Sequence, residues 1–227
     1  PLEDIAAALQ NPARLVGLHF FNPVAKMPLI EVIRHVTVAE SAVTAAVGFA
    51  RQLGKLPLIC KSSPGFLVNR VLGPYLDEAM RLTIDGFSPE DIDKAARDFG
   101  MPMGPIELAD SVGLDIGLHV AEGLAAITGR EVPAKLQQMV ADGLLGRKSG
   151  QGFYRYADGK TVRNKTTAAA KDPEVQARLI YSLLNESADC LHEGVAKSVD
   201  EVDAGVIFGT GFAPFRGGPL HYAQQLG

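Results

Sequence analysis

The sequence predicts a mainly α protein with an α/β remnant at its N-terminal end: the last strands of a sheet, followed by a duplicated all-helical part. Three observations predict it. Strand, helix and strand patterns follow one another between residues 14 and 60; strand-like segments largely disappear after Pro64, where helical spacing of apolar residues takes over; and a second helical run late in the chain repeats the first.

Residues 2–9 read as a short amphipathic helix with acidic residues in its first turn, and Arg14 to Phe21 as a buried strand. Leu29 to Arg34 alternates as a second strand, Glu40 to Leu53 is an Ala-rich helix, and Leu56 to Cys60 is a third strand after the Gly54-Lys55 break. This order suggests the tail end of a parallel sheet. Pro64 sits where a long helix is expected to begin, and Phe66, Leu67, Val71, Leu72, Tyr75, Leu76, Ala79, Met80 and Leu82 keep helical spacing up to a stop at Gly86. Ser88 caps the next helix, with Glu90 and Asp91 in its first turn. Further helices are expected from Gly104 to Thr128, broken near Gly113, and from Pro133 to Asp142; a glycine-punctuated loop, 143–152, then leads into Phe153-Tyr154-Arg155-Tyr156. Residues 158–171 are polar and read as a linker.

Beyond it the earlier pattern returns in diverged form. Glu78-Ala79-Met80-Arg81-Leu82 with Gly86 is matched by Glu186-Ser187-Ala188-Asp189-Cys190-Leu191 with Gly194, Asp91-Ile92-Asp93 by Glu201-Val202-Asp203, and Gly100 to Pro105 by Gly211 to Pro219. The expected division is 1–62, a sheet remnant; 63–157, the first helical copy; 158–171, the linker; and 172–227, a second, degenerate copy that is expected to be incomplete.

At 227 residues, 47% hydrophobic and 21% charged, the chain has the composition of an ordinary globular protein long enough to bury its own core. Its net charge of −4 and scattered Lys and Arg argue against nucleic acid as a partner. No apolar run approaches the roughly 18 residues that a membrane span requires, and the start lacks the features of a signal peptide. Cys60 and Cys190 sit in apolar surroundings and read as reduced core residues of a cytoplasmic protein. The absence of Met at position 1 suggests a chain cut from something longer.

The chemistry-bearing residues fall in four short stretches, around positions 19, 31, 69 and 148. His19 lies in Gly17-Leu18-His19-Phe20-Phe21-Asn22-Pro23, and imidazole, with an ordinary pKa of ~6.5, exchanges protons near neutral pH. Taken alone it reads first as a buried structural histidine bonded to backbone. Glu31, polar among Ile30, Val32 and Ile33, could face it from a neighbouring strand and fix its tautomer, or could lie on an exposed edge. Asn69 stands one turn into the long helix, close enough to its start to bond a substrate oxygen; packing or capping is the plainer role. Asn22, before Pro23, reads first as a turn residue, and Lys148, in the glycine-rich loop, as a solvated cation that could meet a phosphate or carboxylate. No Cys/His clusters have metal-ligand spacing, no Gly-x-Ser-x-Gly elbow exists, and the glycines of 150–152 and 209–211 lack the third member of a dinucleotide fingerprint.

His19-Phe20-Phe21-Asn22-Pro23, Glu31-Val32-Ile33, Pro64-Gly65-Phe66-Leu67-Val68-Asn69-Arg70, Met103-Gly104-Pro105 and Gly146-Arg147-Lys148-Ser149-Gly150-Gln151-Gly152-Phe153-Tyr154 resemble the 3-hydroxyacyl-CoA dehydrogenase family over about residues 13 to 156. The second helical copy resembles the C-terminal end of its bacterial multifunctional members in fatty-acid oxidation, where an enoyl-CoA hydratase unit precedes the dehydrogenase. The resemblance implies a fold in which the last strands of a Rossmann-like NAD-binding sheet precede a duplicated helical dehydrogenase C-terminal domain. It implies oxidation of (3S)-3-hydroxyacyl-CoA to 3-oxoacyl-CoA with NAD in β-oxidation. His19 would be the general base, Glu31 its orienting carboxylate, and Asn69 a contact to the acyl-CoA oxygen. Asn22 and Lys148 would touch NAD. The family also uses an upstream Ser and a glycine fingerprint that this sequence lacks, so the chain alone is expected to be inactive. A homodimer, or a multienzyme complex with a thiolase subunit, is the implied assembly. Two other readings stand beside this one: a non-catalytic helical module for dimerisation or acyl-CoA binding, and another two-domain hydroxyacid dehydrogenase.

Overall fold

The computed structural model describes residues 2–129, 131–162 and 172–227, which form two compact units. One comprises Pro1–Val71 with Leu184–Gly227, the other Leu72–Leu183.

In the first unit a short helix α1 (Leu2–Ala7) and a 3-10 turn at Pro12–Arg14 lead into a three-stranded sheet. Its strands β1 (Gly17–Phe20), β2 (Leu29–Arg34) and β3 (Leu56–Lys61) stand in that spatial order. The expected parallel pairing holds for β2 and β3, which are joined across helix α2 (Glu40–Gln52); β1 runs antiparallel to β2. β2 is the central strand and is buried on both faces, which is why its sequence is nearly continuously apolar. Ile30 and Val32 pack under Val43, Ala46 and Ala50 of α2. The opposite face takes α9 (Val199–Thr210), whose Gly205 lies against Leu58 and whose Gly209 lies against Leu29. Helix α10 (Pro219–Leu226) closes this unit.

Buried His35 secures the entry to β1, its Nε2 lying 3.1 Å from the carbonyl oxygens of Pro12 and Leu15.

Helix α3 (Val68–Ile84) and helix α8 (Pro173–His192) each contribute residues to both units. α3 starts later than Pro64, because Gly65 (φ 76°) and Phe66 (φ 50°) both adopt left-handed backbone conformations and turn the chain before the helix begins.

The second unit is built from α4 (Pro89–Phe99), α5 (Pro105–Val112), α6 (Leu114–Thr128) and α7 (Ala134–Ala141) around Met80, Ala109, Leu114, Leu136 and Met139. It corrects the expectation of an all-helical part: β4 (Arg155–Ala157) and β5 (Lys160–Val162) pair as an antiparallel hairpin. The hairpin takes the first part of the expected linker 158–171; residues 163–171 lie outside the described residues.

Two buried carboxylates organise these helices. Asp93 accepts from the N–H groups of Ile106 and Glu107 at the start of α5 and from the Tyr154 hydroxyl, at 2.8–3.0 Å. Asp110 accepts from the N–H groups of Phe153 and Tyr154 and from the Tyr156 hydroxyl. Two glycines of the 143–152 loop serve this packing: a Cβ on Gly146 would fall 2.3 Å from the Asp110 carbonyl oxygen, and one on Gly152 would fall 2.1 Å from Asp110 Oδ1. A related arrangement recurs in the first unit, where Asp203 of α9 accepts from the N–H groups of Leu220 and His221 in α10.

Candidate active site

His19 and Glu31 occupy directly opposed positions of the antiparallel β1–β2 ladder, so their side chains emerge on the same face of the sheet. His19 Nδ1 donates to Glu31 Oε2 at 2.6 Å. With Nδ1 carrying the proton, the second nitrogen, Nε2, holds the lone pair; among the described residues it makes no hydrogen bond. The imidazole is 29% exposed while the carboxylate is fully buried, so one end of the pair reaches solvent and the other is anchored in the protein. The rings of Phe21 and Phe66 flank the imidazole at 4.7 and 5.5 Å between centroids.

A buried carboxylate needs several donors to offset its lost hydration. Glu31 Oε1 receives the N–H groups of Leu67 and Val68 at 2.9 and 3.0 Å, at the N-terminal end of α3, where the helix dipole also favours negative charge. The left-handed pair Gly65-Phe66 turns the backbone just before these two N–H groups. A side chain at Gly65 would also meet the Arg70 backbone nitrogen at 2.9 Å, so this position requires glycine twice over. Cys60 lies with its Sγ 3.9 Å from Glu31 Oε1. Burial, with the Glu31 charge beside it, pushes the thiol far above its ordinary value, so it remains S–H and meets the carboxylate as a weak donor.

Asn69 follows Val68 directly in the first turn of α3 and is exposed. Asn22 is exposed on the loop after β1, next to a cis bond to Pro23. That loop is held by Lys55, a residue the sequence reading did not single out, whose Nζ donates to the carbonyl oxygens of Val24 and Met27 at 2.6 and 2.7 Å. These residues and the His19–Glu31 pair belong to the first unit. Lys148 belongs to the second, where its ammonium pairs with Asp115 at the start of α6 and holds that carboxyl below its ordinary range. Arg70, also passed over in sequence, binds Glu186, Glu193 and Ser63. Its only sequence signal was position, one residue after Asn69.

A base with an oriented tautomer and an exposed lone pair between aromatic walls can take a proton from a hydroxyl. Among the described residues no group of His, Cys, Asp and Glu could hold a metal ion, and no helix is long and apolar enough to cross a membrane.

Comparison with known proteins gives a consistent result. Residues 1–63 match the family described as 3-hydroxyacyl-CoA dehydrogenase, NAD binding domain, and residues 65–156 match 3-hydroxyacyl-CoA dehydrogenase, C-terminal domain. The fatty acid oxidation complex subunit alpha of Shewanella sp. (strain MR-4) is 41% identical over 244 residues, and that of Vibrio cholerae is 41% identical over 239. The chain is covered fully in both matches and spans 34% of the length of these relatives. Among solved structures, 3-hydroxybutyryl-CoA dehydrogenase from Escherichia coli K12 matches with a TM-score of 0.83 at 29% identity, over the whole chain and 66% of that protein. M. tuberculosis FadB2 matches with a TM-score of 0.66 at 42% identity, over 69% of this chain and 57% of that one.

Proposed function

This chain belongs to the 3-hydroxyacyl-CoA dehydrogenase family, and we propose that it carries the proton-transfer half of the site that oxidises (3S)-3-hydroxyacyl-CoA to 3-oxoacyl-CoA with NAD in fatty-acid β-oxidation. The observation that carries this reading is the 2.6 Å bond from His19 Nδ1 to the buried Glu31. His19 Nε2 takes the proton of the substrate 3-hydroxyl, and the Glu31 carboxylate stabilises the imidazolium that results. Asn69, exposed beside the dyad's helix, donates to an acyl-CoA oxygen. Asn22 and Lys148 are the cofactor contacts of this reading, Lys148 exchanging Asp115 for an anionic ligand.

The residues present fit only part of an NAD site. Within residues 1–63 the glycines are Gly17 in β1, Gly48 within α2 and Gly54 just after it; they have no fingerprint spacing, and none opens a helix toward a ligand. The pyrophosphate therefore finds no cradle among them, and in this reading the 227-residue chain by itself turns over no substrate. Acetoacetyl-CoA and NADH mixed with the purified chain should give no NADH oxidation; robust turnover overturns this division of labour. In a polypeptide that also carries the glycine fingerprint, His19→Gln should lower kcat by at least about 100-fold, and an unchanged rate overturns the assignment of the base.

We also read α8–α10 as a diverged second copy of α3–α5. The support is the repeated serine cap, at Ser88 and Ser198, and the repeated Asp before a Gly-Pro helix start, at Asp93 with Gly104-Pro105 and Asp203 with Gly218-Pro219. Assembly as a homodimer or with a thiolase subunit, in the cytoplasm, belongs to the same proposal; its support is the kinship to subunits of a fatty acid oxidation complex.

A further inference from the structure

Two residues, Leu67 and Val68, supply the backbone N–H groups that hold Glu31, and the segment that seats them comes from the far end of the chain. On α9, Gly205 and Gly209 stand one turn apart. A Cβ on Gly205 would fall 2.6 Å from Leu67 Cδ2, and one on Gly209 would fall 2.5 Å from Val68 Cγ2. The α9 backbone thus lies directly on the side chains of the two residues whose amides face the carboxylate, and a Cβ at either glycine would force those side chains to shift.

A second tether acts two residues further on. Arg70 Nε donates to Glu186 Oε1 at 2.7 Å, and its two terminal nitrogens donate to both oxygens of Glu193 at 2.7 and 2.8 Å. Glu186 is only 5% exposed. The guanidinium also reaches Ser63 Oγ at 3.2 Å, so one side chain fastens the residue before the turn and the first turn of α3 to the end of α8. Between them the turn is closed by bonds from Phe66 N to Ser63 O and from Arg70 N to Gly65 O. Bidentate, charge-assisted bonds of this kind fix geometry as well as adding energy. Lys61 N, at the end of β3, donates to Val195 O at 2.9 Å and ties the same distal segment to the sheet. All of these residues lie in one unit.

We propose that residues 186–209 form a positioning element for the His19–Glu31 pair. The glycine face of α9 and the acid pair at the end of α8 hold the Leu67 and Val68 amides on Glu31, and through Glu31 they hold the imidazole. Catalytic meaning for this element rests on the proton-transfer reading above; the mechanical coupling does not.

The test uses the 227-residue chain and no activity measurement. Amide exchange at Leu67 and Val68 and the His19 Nδ1–H resonance are followed by NMR in Gly209→Ala, Glu193→Gln and Glu193→Asp, with Ser88→Ala in the other unit as a control for general loss of stability. Gly209→Ala and Glu193→Gln should each speed exchange at Leu67 and Val68 by about tenfold and move the imidazole resonance upfield. Glu193→Asp should recover part of both, and Ser88→Ala should leave the imidazole resonance in place. Wild-type behaviour in folded Glu193→Gln, or an equal change in Ser88→Ala, overturns the proposal. If Gly209→Ala fails to fold, the exposed Glu193 decides alone. A dyad that responds in this way, in a polypeptide where His19→Gln leaves dehydrogenation unchanged, would sink the function and leave the coupling standing.

Discussion

The α4–α5 and α9–α10 helix pairs are held by the same device and differ in what surrounds it. In each, a serine caps the first helix: Ser88 Oγ accepts from Asp91 N and Ser198 Oγ from Glu201 N. An aspartate then receives two N–H groups at the start of the second helix, and a glycine lies so close that a Cβ would overlap the carboxylate: Gly104 on Asp93 and Gly218 on Asp203. Asp93, however, is fully buried and also receives the Tyr154 hydroxyl, whereas Asp203 is 5% exposed and has His221 close by. The helices that lead into the two pairs differ more. α3 opens with amides on Glu31 and with Asn69; α8 opens with Asp172 capping its own first turn through the amides of Glu174 and Val175, and ends in the acids that grip Arg70. The shared parts fold a helix pair, and the parts that differ are those that chemistry can use.

Removing the anchoring carboxylates should separate the two pairs most strongly. Asp93→Ala strands three buried donors and should cost about 4 kcal/mol, against about 2 for Asp203→Ala, both read from urea unfolding midpoints. Equal losses would mean that the Tyr154 hydroxyl adds nothing.

A smaller effect follows pH. Burial pushes Asp93 up to about 6 from an ordinary 3.8, against the pull of its three donors. A carboxyl with a raised folded value binds its proton more tightly when folded. Its contribution is therefore complete below the unfolded value and is lost as pH rises through about 6. Between pH 4 and pH 7 the wild type should lose on the order of 2 kcal/mol from this group. Asp93→Asn should remove that slope, while Asp203→Asn should leave most of it; a slope unchanged in Asp93→Asn would break the contrast. Asp110 and Asp203 are shifted in the same direction by burial.

The caps should give the smallest difference. Ser88→Ala should cost about 1 kcal/mol and Ser198→Ala about half that, because Ser88 also donates to Asp91 Oδ2 at 2.6 Å and is less exposed. Thermal melts of the two variants would sharpen the comparison, and a larger loss at Ser198 would reverse it.

Much of the fold was legible because its signals are local. Local patterns marked α2 and α7 to within a residue or two and the start of α4 at the Ser88 cap, and that cap and the break at Gly113 act on their immediate neighbours. The errors came where distant residues decide. The start of α3 was drawn at Pro64 because helical spacing begins at Phe66, but the turn that delays it is stabilised by bonds to Glu31 and Arg70. The 158–162 segment looked like linker because its polarity hides a two-stranded pairing with 155–157.

The site divides in the same way. Sequence alone determined that a histidine and a carboxylate stand in two apolar strands and an asparagine near the start of a long helix, because residue type and apolar period are local signals; whether Glu31 faces His19 or an exposed edge stayed open at that level. Only the tertiary structure decided that β1 and β2 are antiparallel with His19 opposite Glu31, that the carboxylate rests on the start of α3, and that Glu186, Glu193, Gly205 and Gly209 meet the first turn of that helix from the far end of the chain. The strand register joins His19 and Glu31, 12 positions apart, while close backbone approach and charge pairing join residues more than a hundred positions apart, and no local pattern encodes either pairing.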